Sequence, residues 1–133
     1  MTDILRLPDL ALGDLELAVL DVLWADGPAR PADVHGRLGS ERGISVNTVA
    51  SALKRLVDKG LLDRDKVSHA YVYRAIVSRS ELQRQMLGAL ASRFGATGRS
   101  GLMAAFVDLT EEEGEDELRE LEALIAARLE GDA

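Results

Sequence analysis

One predicted helix of this chain carries a row of polar and small side chains that could hydrogen-bond to nucleic acid. They lie opposite an apolar stripe and are Asn47, Thr48, Ser51, Ala52, Lys54 and Arg55. Asparagine can make two hydrogen bonds to adenine, arginine can do the same to guanine, and serine or threonine can meet bases or phosphates. The short side chains would also let the helix sit deep in a groove. The chemistry that this pattern offers is recognition.

Basic residues in and after this helix suit phosphate better than base edges. They are Lys54, Lys59, Arg64 and Lys66. Most protein–DNA hydrogen bonds go to phosphate and sugar, so we expect these residues to position the protein on a duplex. A polar outer face is also what any surface helix shows, and the face alone does not establish DNA binding.

The helix itself is predicted over residues 46–59. Ser45 is a suitable N-cap, and Gly60 is a suitable stop. Between them runs one apolar stripe at helical spacing, formed by Val46, Val49, Ala50, Leu53, Leu56 and Val57. Such a stripe indicates a helix that packs one side against a core.

The neighbouring segments predict two more helices and a ribbon. One helix begins at Gly13 or Asp14 and ends before Gly27, and a shorter one begins at Pro31, with a turn marked by Gly39 and Gly43. Residues 61–76 are rich in aromatic and β-branched residues and predict two strands with a loop over 66–69. Three helices followed by a two-stranded ribbon is the order of a winged helix-turn-helix. We assign it to residues 1–77, with a loose lead-in over 1–12.

Residues 78–133 have a helical pattern and form a second predicted region. A Ser-x-x-Glu box at Ser78 and Glu81 starts it. The stretch GATGRSG predicts a flexible break, and Thr110 is a candidate cap for a last helix that begins with acidic residues. The apolar stripes of this region have little of their own chain to pack against, so a partner is expected. The expected fold class is therefore mainly α with a small β-wing.

Charge is unevenly distributed along the chain. The net charge is -7. Residues 30–74 carry nine bases and five acids, whereas residues 78–133 carry six bases and twelve acids. A basic middle supports a nucleic-acid partner, while the acidic total leaves open an alternative, a winged-helix adaptor that binds protein and not DNA.

The chain does not contain the residues that several classes of function require. The chain has no cysteine, which excludes disulfides and thiolate metal sites. His35 and His69 are separated by a helix and a ribbon, so no metal or cofactor site is expected. No nucleophile elbow, dinucleotide fingerprint or P-loop occurs, and we expect no enzyme. Acidic residues near the start argue against a signal peptide, and no apolar run could span a membrane, so an intracellular, cytoplasmic location is expected.

The chain resembles the BlaI/MecI/CopY family of bacterial repressors along nearly its whole length. The similar stretches are LGDLELAVLDVLWADGPARPADVHGRL at 12–38, TVASALKRLVDKGLL at 48–62 and AYVYRA at 70–75. The resemblance implies a homodimeric repressor that binds a two-fold symmetric operator. The recognition helix would be 46–59, where Thr48 matches a common family pattern and Asn47 does not. His69 stands where the family's wing often has a basic residue, which implies weaker wing contact near neutral pH.

The resemblance also implies roles for the second region. The dimerisation residues would be Leu82, Met86, Leu90, Leu102, Phe106, Leu118, Leu121, Leu124 and Ile125. Copper-sensing relatives use a C-terminal cysteine motif that this chain lacks. Relatives that respond to β-lactams are cleaved at an Asn–Phe bond by a membrane-bound sensor protease. The matching bond here is Ala105–Phe106, where the phenylalanine is kept and the asparagine is not.

Overall fold

The computed structural model describes residues 12–131, with the side chains of residues 39–41 left aside. Five helices and two strands follow one another along this part of the chain. They are α1 (Asp14–Asp26), α2 (Pro31–Arg42), α3 (Val46–Asp58), β1 (Leu62–Val67), β2 (Ala70–Ala75), α4 (Arg79–Glu112) and α5 (Glu115–Gly131). The expected mainly α class with a small β-wing is confirmed. All of the expected lead-in except Leu12 lies outside the described residues.

The first compact unit extends to residue 89 and contains α1, α2, α3, the ribbon and the start of α4. The three helices pack around one apolar core that also includes side chains of the ribbon. Its fully buried members include Leu20, Val34, Val49, Leu53, Leu56 and Leu62. This core fixes the orientation of α3, because Val49, Ala52, Leu53 and Leu56 on its inner face are buried in it.

Helix α1 is tied down at both of its ends. The backbone N–H of Gly13 donates to Glu16 Oε1 at 3.1 Å, which satisfies one of the free donors of the first turn. Gly27 has a φ of 87° and ends the helix, a conformation that glycine adopts without strain. The indole Nε1 of Trp24 donates to the carbonyl oxygen of Val77 at 2.9 Å, so this tryptophan joins α1 to the segment before α4.

Helix α3 forms where the sequence predicts it, because a capping residue and a glycine define its two ends. Ser45 Oγ accepts a hydrogen bond from the backbone N–H of Thr48 at 3.2 Å. At the other end, Gly60 takes a φ of 80° and turns the chain into β1. Two positions differ from the prediction: Val46 is 39% exposed and Ala52 is fully buried. Ala52 follows Asn47 by five residues, which turns its Cβ by about 140° around the helix axis and onto the core side.

Strands β1 and β2 form an antiparallel ribbon with a turn of only two residues, Ser68 and His69. Both turn residues have positive φ, 49° and 69°. The predicted loop over 66–69 is therefore shorter than expected. An additional short pairing was not predicted: Ala29 and Tyr73 exchange both backbone hydrogen bonds, at 2.9 and 2.8 Å. This pairing attaches the ribbon to the α1–α2 connection.

The start of α4 belongs to the first unit. The predicted box is present, since Glu81 Oε1 accepts from the Ser78 backbone N–H at 2.9 Å and Ser78 Oγ accepts from that of Glu81 at 3.1 Å. Leu82 is only 2% exposed and lies in the core, with Met86 packed against it. The sequence-based assignment of Leu82 to dimerisation is corrected accordingly, because its side chain is already covered by its own unit.

The second unit comprises the rest of α4, from Leu90, together with α5. The predicted break at residues 95–101 is reduced to a kink at Gly95, whose φ is 71°. Thr110 does not cap the last helix. Its hydroxyl instead donates to the carbonyl oxygen of Phe106 at 2.8 Å within α4, and α5 begins after Gly114. A threonine can bond back to its own helix in this way, which removes it as a cap.

None of the helices in residues 12–131 combines the length and apolar character that a membrane span requires.

Candidate nucleic-acid interface

The outer face of α3 presents five side chains to solvent. Asn47, Thr48, Ser51, Lys54 and Arg55 are all exposed. Their spacing of one, three and four residues places them on one side of the helix, opposite the buried residues of the core. The structure thus brings these five predicted site residues together on one rigid surface.

Two of these side chains already make contacts within the protein. The Thr48 hydroxyl lies 3.1 Å from Ser45 Oγ, as part of the N-cap. Arg55 Nε lies 3.7 Å from Glu16 Oε2, and the Arg55 side chain remains 52% exposed. The guanidinium is therefore steered by a carboxylate while most of it faces solvent.

Lys59, which the sequence predicts to contact phosphate, makes contacts within the protein. Its ammonium donates to both carboxylate oxygens of Glu16, at 2.9 and 3.1 Å, and its side chain is only 19% exposed. We therefore leave Lys59 out of the candidate DNA contacts, since it joins the end of α3 to the start of α1. Sequence reasoning missed Glu16, although a glutamate at the third position of a helix is the residue that reaches back to the N-cap backbone N–H in a capping box.

The environment of Glu16 favours its charged form. Burial alone would raise the pKa of this carboxyl. The hydrogen bonds from Lys59 and from the Gly13 backbone N–H, with the positive charges of Lys59 and Arg55, outweigh burial and lower the pKa below its ordinary value. Glu16 thus favours its ionised form and pairs with Arg55 of α3 and with Lys59, the residue that follows α3.

The wing adds three candidate contacts beside α3. Lys66 and His69 are exposed, whereas Arg64 is half-buried and lies over the ring of Tyr71. His69 sits in the turn, at the tip of the ribbon. The other histidine, His35, bonds the carbonyl oxygen of Ile44 at 2.8 Å. Among the side chains that the structure describes, no cluster of histidine and acidic residues could hold a metal ion.

A helix-turn-helix whose second helix exposes polar residues, followed by an antiparallel ribbon, defines a winged helix-turn-helix protein. The sequence profile of the penicillinase repressor family matches residues 12–127. The chain therefore belongs to the penicillinase repressor family.

Known relatives agree with this membership. The chain is similar to the transcriptional regulator BlaI of Mycobacterium tuberculosis, with 35% identity over 118 residues, covering 84% of this chain and 86% of that protein. It is also similar to the methicillin resistance regulatory protein MecI of Staphylococcus aureus, with 22% identity over 114 residues, covering 86% of this chain and 92% of that protein. The fold alone is similar to that in the solved complex structure of hsRosR-S4, where the match covers 96% of this chain and 99% of that chain, with 15% identity and a TM-score of 0.52.

Proposed function

We propose that this chain is a dimeric, sequence-specific DNA-binding repressor that inserts α3 into the major groove of a palindromic operator. The observation that carries the proposal is the outer face of α3. Its polar side chains are exposed, while the opposite side is fixed in the core by Val49, Leu53 and Leu56. A helix held rigidly in this way can present the same donors and acceptors to a base edge each time it binds.

Base recognition falls to Asn47 and Arg55, since these side chains can make two hydrogen bonds to one base. Thr48 and Ser51 are short and can contact either a base or a phosphate. Lys54 lies on the same face and carries a charge suited to phosphate. The wing residues Arg64, Lys66 and His69 then contact the backbone beside the groove, which adds affinity without sequence information.

The second unit supplies the proposed dimer interface. It exposes apolar side chains that a single copy does not cover: Leu90 (44%), Phe106 (50%), Leu124 (58%) and Ile125 (51%), with Leu102, Leu118 and Leu121 partly buried beside them. Burial of apolar surface is the main driving force for association. Joining two copies would hold two recognition helices on two half-sites, which raises affinity through effective concentration.

Induction by a sensor protease is a further part of the proposal. Ala105 and Phe106 are both exposed in a single copy. Because Phe106 also belongs to the proposed dimer interface, cleavage would require that interface to open. Their peptide bond lies inside α4, so the helix must unwind locally before a protease can cleave it. In cells that carry such a sensor, a Phe106→Ala variant should resist induction; unchanged induction would rule the site out.

The decisive experiment for the repressor is genome-wide crosslinking of the protein to its own chromosome, in the bacterial cytoplasm where we expect it to act. A small set of enriched sites that share a palindrome supports the proposal, and the neighbouring genes identify the inducing signal. No enrichment, with folded dimeric protein present, would contradict it and favour the adaptor. Salt dependence gives a cheap second test, because the log–log slope of DNA affinity is roughly -0.9 per phosphate contact.

A further inference from the structure

The two faces of the wing carry opposite charges. Residues alternate between faces along a strand, so Arg64 and Lys66 share one face of β1 while Asp63 and Asp65 share the other. On the acidic face, Arg74 of β2 pairs with Asp63 at 2.8 Å and with Asp65 at 3.6 Å. Arg74 thus partly neutralises the acidic face of the wing. The opposite face, which carries Arg64 and Lys66, is called the basic face.

Tyrosines of β2 lie on the basic face. The strand register places Tyr73 opposite Arg64 and Tyr71 opposite Lys66. The two rings are 6.3 Å apart between centroids and tilted by 56°. Tyr73 is 4% exposed and held by its backbone pairing with Ala29, whereas Tyr71 is 38% exposed. The pair therefore forms a surface with one fixed ring and one accessible ring.

Arg64 is held by both tyrosines. Its guanidinium carbon lies 4.1 Å from the centroid of the Tyr71 ring, within cation–π distance. Its Nη1 donates to the Tyr73 hydroxyl at 3.4 Å. The hydrogen bond to Tyr73, against a smaller opposing effect of burial, raises the pKa of Arg64 above its ordinary value. The guanidinium is fixed in place and remains fully charged.

Most of the donors of Arg64 stay available. A guanidinium has five N–H donors, and Tyr73 takes one. Among the residues that the structure describes, no carboxylate forms an ion pair with the guanidinium, although the charge of Asp58 acts on it from a greater distance. The carboxylates of Asp63 and Asp65 instead pair with Arg74 on the other face. Stacking on a ring leaves the edge of the guanidinium open, and that edge matches the geometry of phosphate oxygens.

From this arrangement we infer that Tyr71 is a positioning residue: its ring holds the Arg64 guanidinium on the basic face of the wing so that the open N–H edge meets a DNA phosphate. The Tyr73 hydroxyl provides the second point of support. Fixing a long side chain before binding lowers the entropy lost on binding. The inference rests on the proposed DNA-binding function and adds to it a partner for Arg64.

The test compares Tyr71→Leu with Tyr71→Phe in the full-length chain. Affinity for a mixed-sequence DNA duplex is measured over a series of salt concentrations, beside wild type, Arg64→Ala and the double variant Arg64→Ala/Tyr71→Leu. We expect Arg64→Ala to reduce the size of the log–log slope by about 0.9 per chain. Tyr71→Leu should lower affinity several-fold, Tyr71→Phe should restore it because phenylalanine keeps the aromatic face, and the double variant should bind no more weakly than Arg64→Ala.

The outcomes distinguish a failure of the inference from a failure of the function on which it rests. A thermal melt shows first that Tyr71→Leu is folded, as expected for a side chain that is 38% exposed. If Arg64→Ala binds weakly but Tyr71→Leu binds like wild type, Arg64 acts without positioning and the inference fails. If Arg64→Ala binds like wild type, the inference also fails, while the function of α3 stands. If the wild-type chain does not bind the duplex at low salt, the proposed function and the inference fall together.

Discussion

The carboxylate of Glu16 binds the ammonium of Lys59 through both of its oxygens, at 2.9 and 3.1 Å. This pair connects the first turn of α1 to the residue that follows α3, across 43 positions in the sequence. Arg55 approaches the same carboxylate at 3.7 Å. A single acidic residue thus joins the scaffold to the proposed DNA-reading helix.

We expect Glu16→Gln to lower the free energy of unfolding at neutral pH by about 1–3 kcal/mol, since Lys59 loses its charged partner in a partly buried place. The pKa of Glu16 is lowered in the folded protein, so its contribution is fully present above the unfolded pKa and is lost as pH falls through the folded pKa. Chemical denaturation at a series of pH values should show that the difference in unfolding free energy between wild type and Glu16→Gln becomes smaller below pH ~4.

The matched control for this prediction is Glu120→Gln, which removes an exposed carboxylate from α5. It should leave the unfolding of the first unit unchanged at neutral pH. A difference between wild type and Glu16→Gln that keeps its full size in acid would show that ionisation of Glu16 does not stabilise the fold.

The wing turn should become more stable when Ser68 is replaced by asparagine and His69 by glycine. Both native residues have positive φ, which asparagine and glycine adopt more readily. The double variant should raise stability by about 1 kcal/mol, measured by thermal unfolding. Ser68→Ala is the control and should give no gain, because alanine has no side chain that eases a left-handed backbone. A double variant that melts below wild type would contradict this account.

Replacing Leu82 or Leu124 by alanine should affect two different properties of the protein. Leu82→Ala removes a buried side chain from the core of the first unit and should cost about 2–5 kcal/mol of stability. Leu124→Ala alters a side chain that is 58% exposed and should mainly weaken self-association. Denaturation and analytical ultracentrifugation of both variants separate the two effects. If Leu82→Ala dissociates a dimer without loss of stability, its placement in the core is refuted.

Asn47→Ala and Arg55→Ala should each weaken binding to the operator by about 1–3 kcal/mol if they contact bases. Lys54→Ala is the comparison, because a phosphate contact is lost equally on all sequences. Each variant is titrated against the operator found by crosslinking and against a scrambled duplex. The ratio of its two dissociation constants measures its sequence specificity. Equal losses on both duplexes for Asn47→Ala or Arg55→Ala would assign that residue to phosphate only.

Local signals explain what the sequence predicts well. Helix α3 has a serine cap, one apolar stripe and a stopping glycine, and the structure places it at Val46–Asp58. The ribbon is equally clear from its aromatic and β-branched residues. Together with the resemblance, these elements predict the winged fold and the repressor family from the sequence alone.

Contacts between residues that are far apart in the sequence could not be predicted from local signals. The burial of Leu82, the pairing of Ala29 with Tyr73 and the bond from Lys59 to Glu16 each join positions far apart in the chain. The wrong assignment of Thr110 has another origin: a threonine can cap a helix or bond back to its own helix, and the sequence does not distinguish the two.

The two-residue turn of the wing determines the register of its strands, and the register determines which charged residues share a face with Tyr71 and Tyr73. Side chains alternate with a period of two, so inserting or deleting one residue between Asp65 and the turn would move Asp63 and Asp65 onto the face that carries Tyr71 and Tyr73. The face proposed to contact DNA phosphates would then carry negative charge. Single-residue insertions and deletions in β1 should consequently be far less tolerated than substitutions at the same positions.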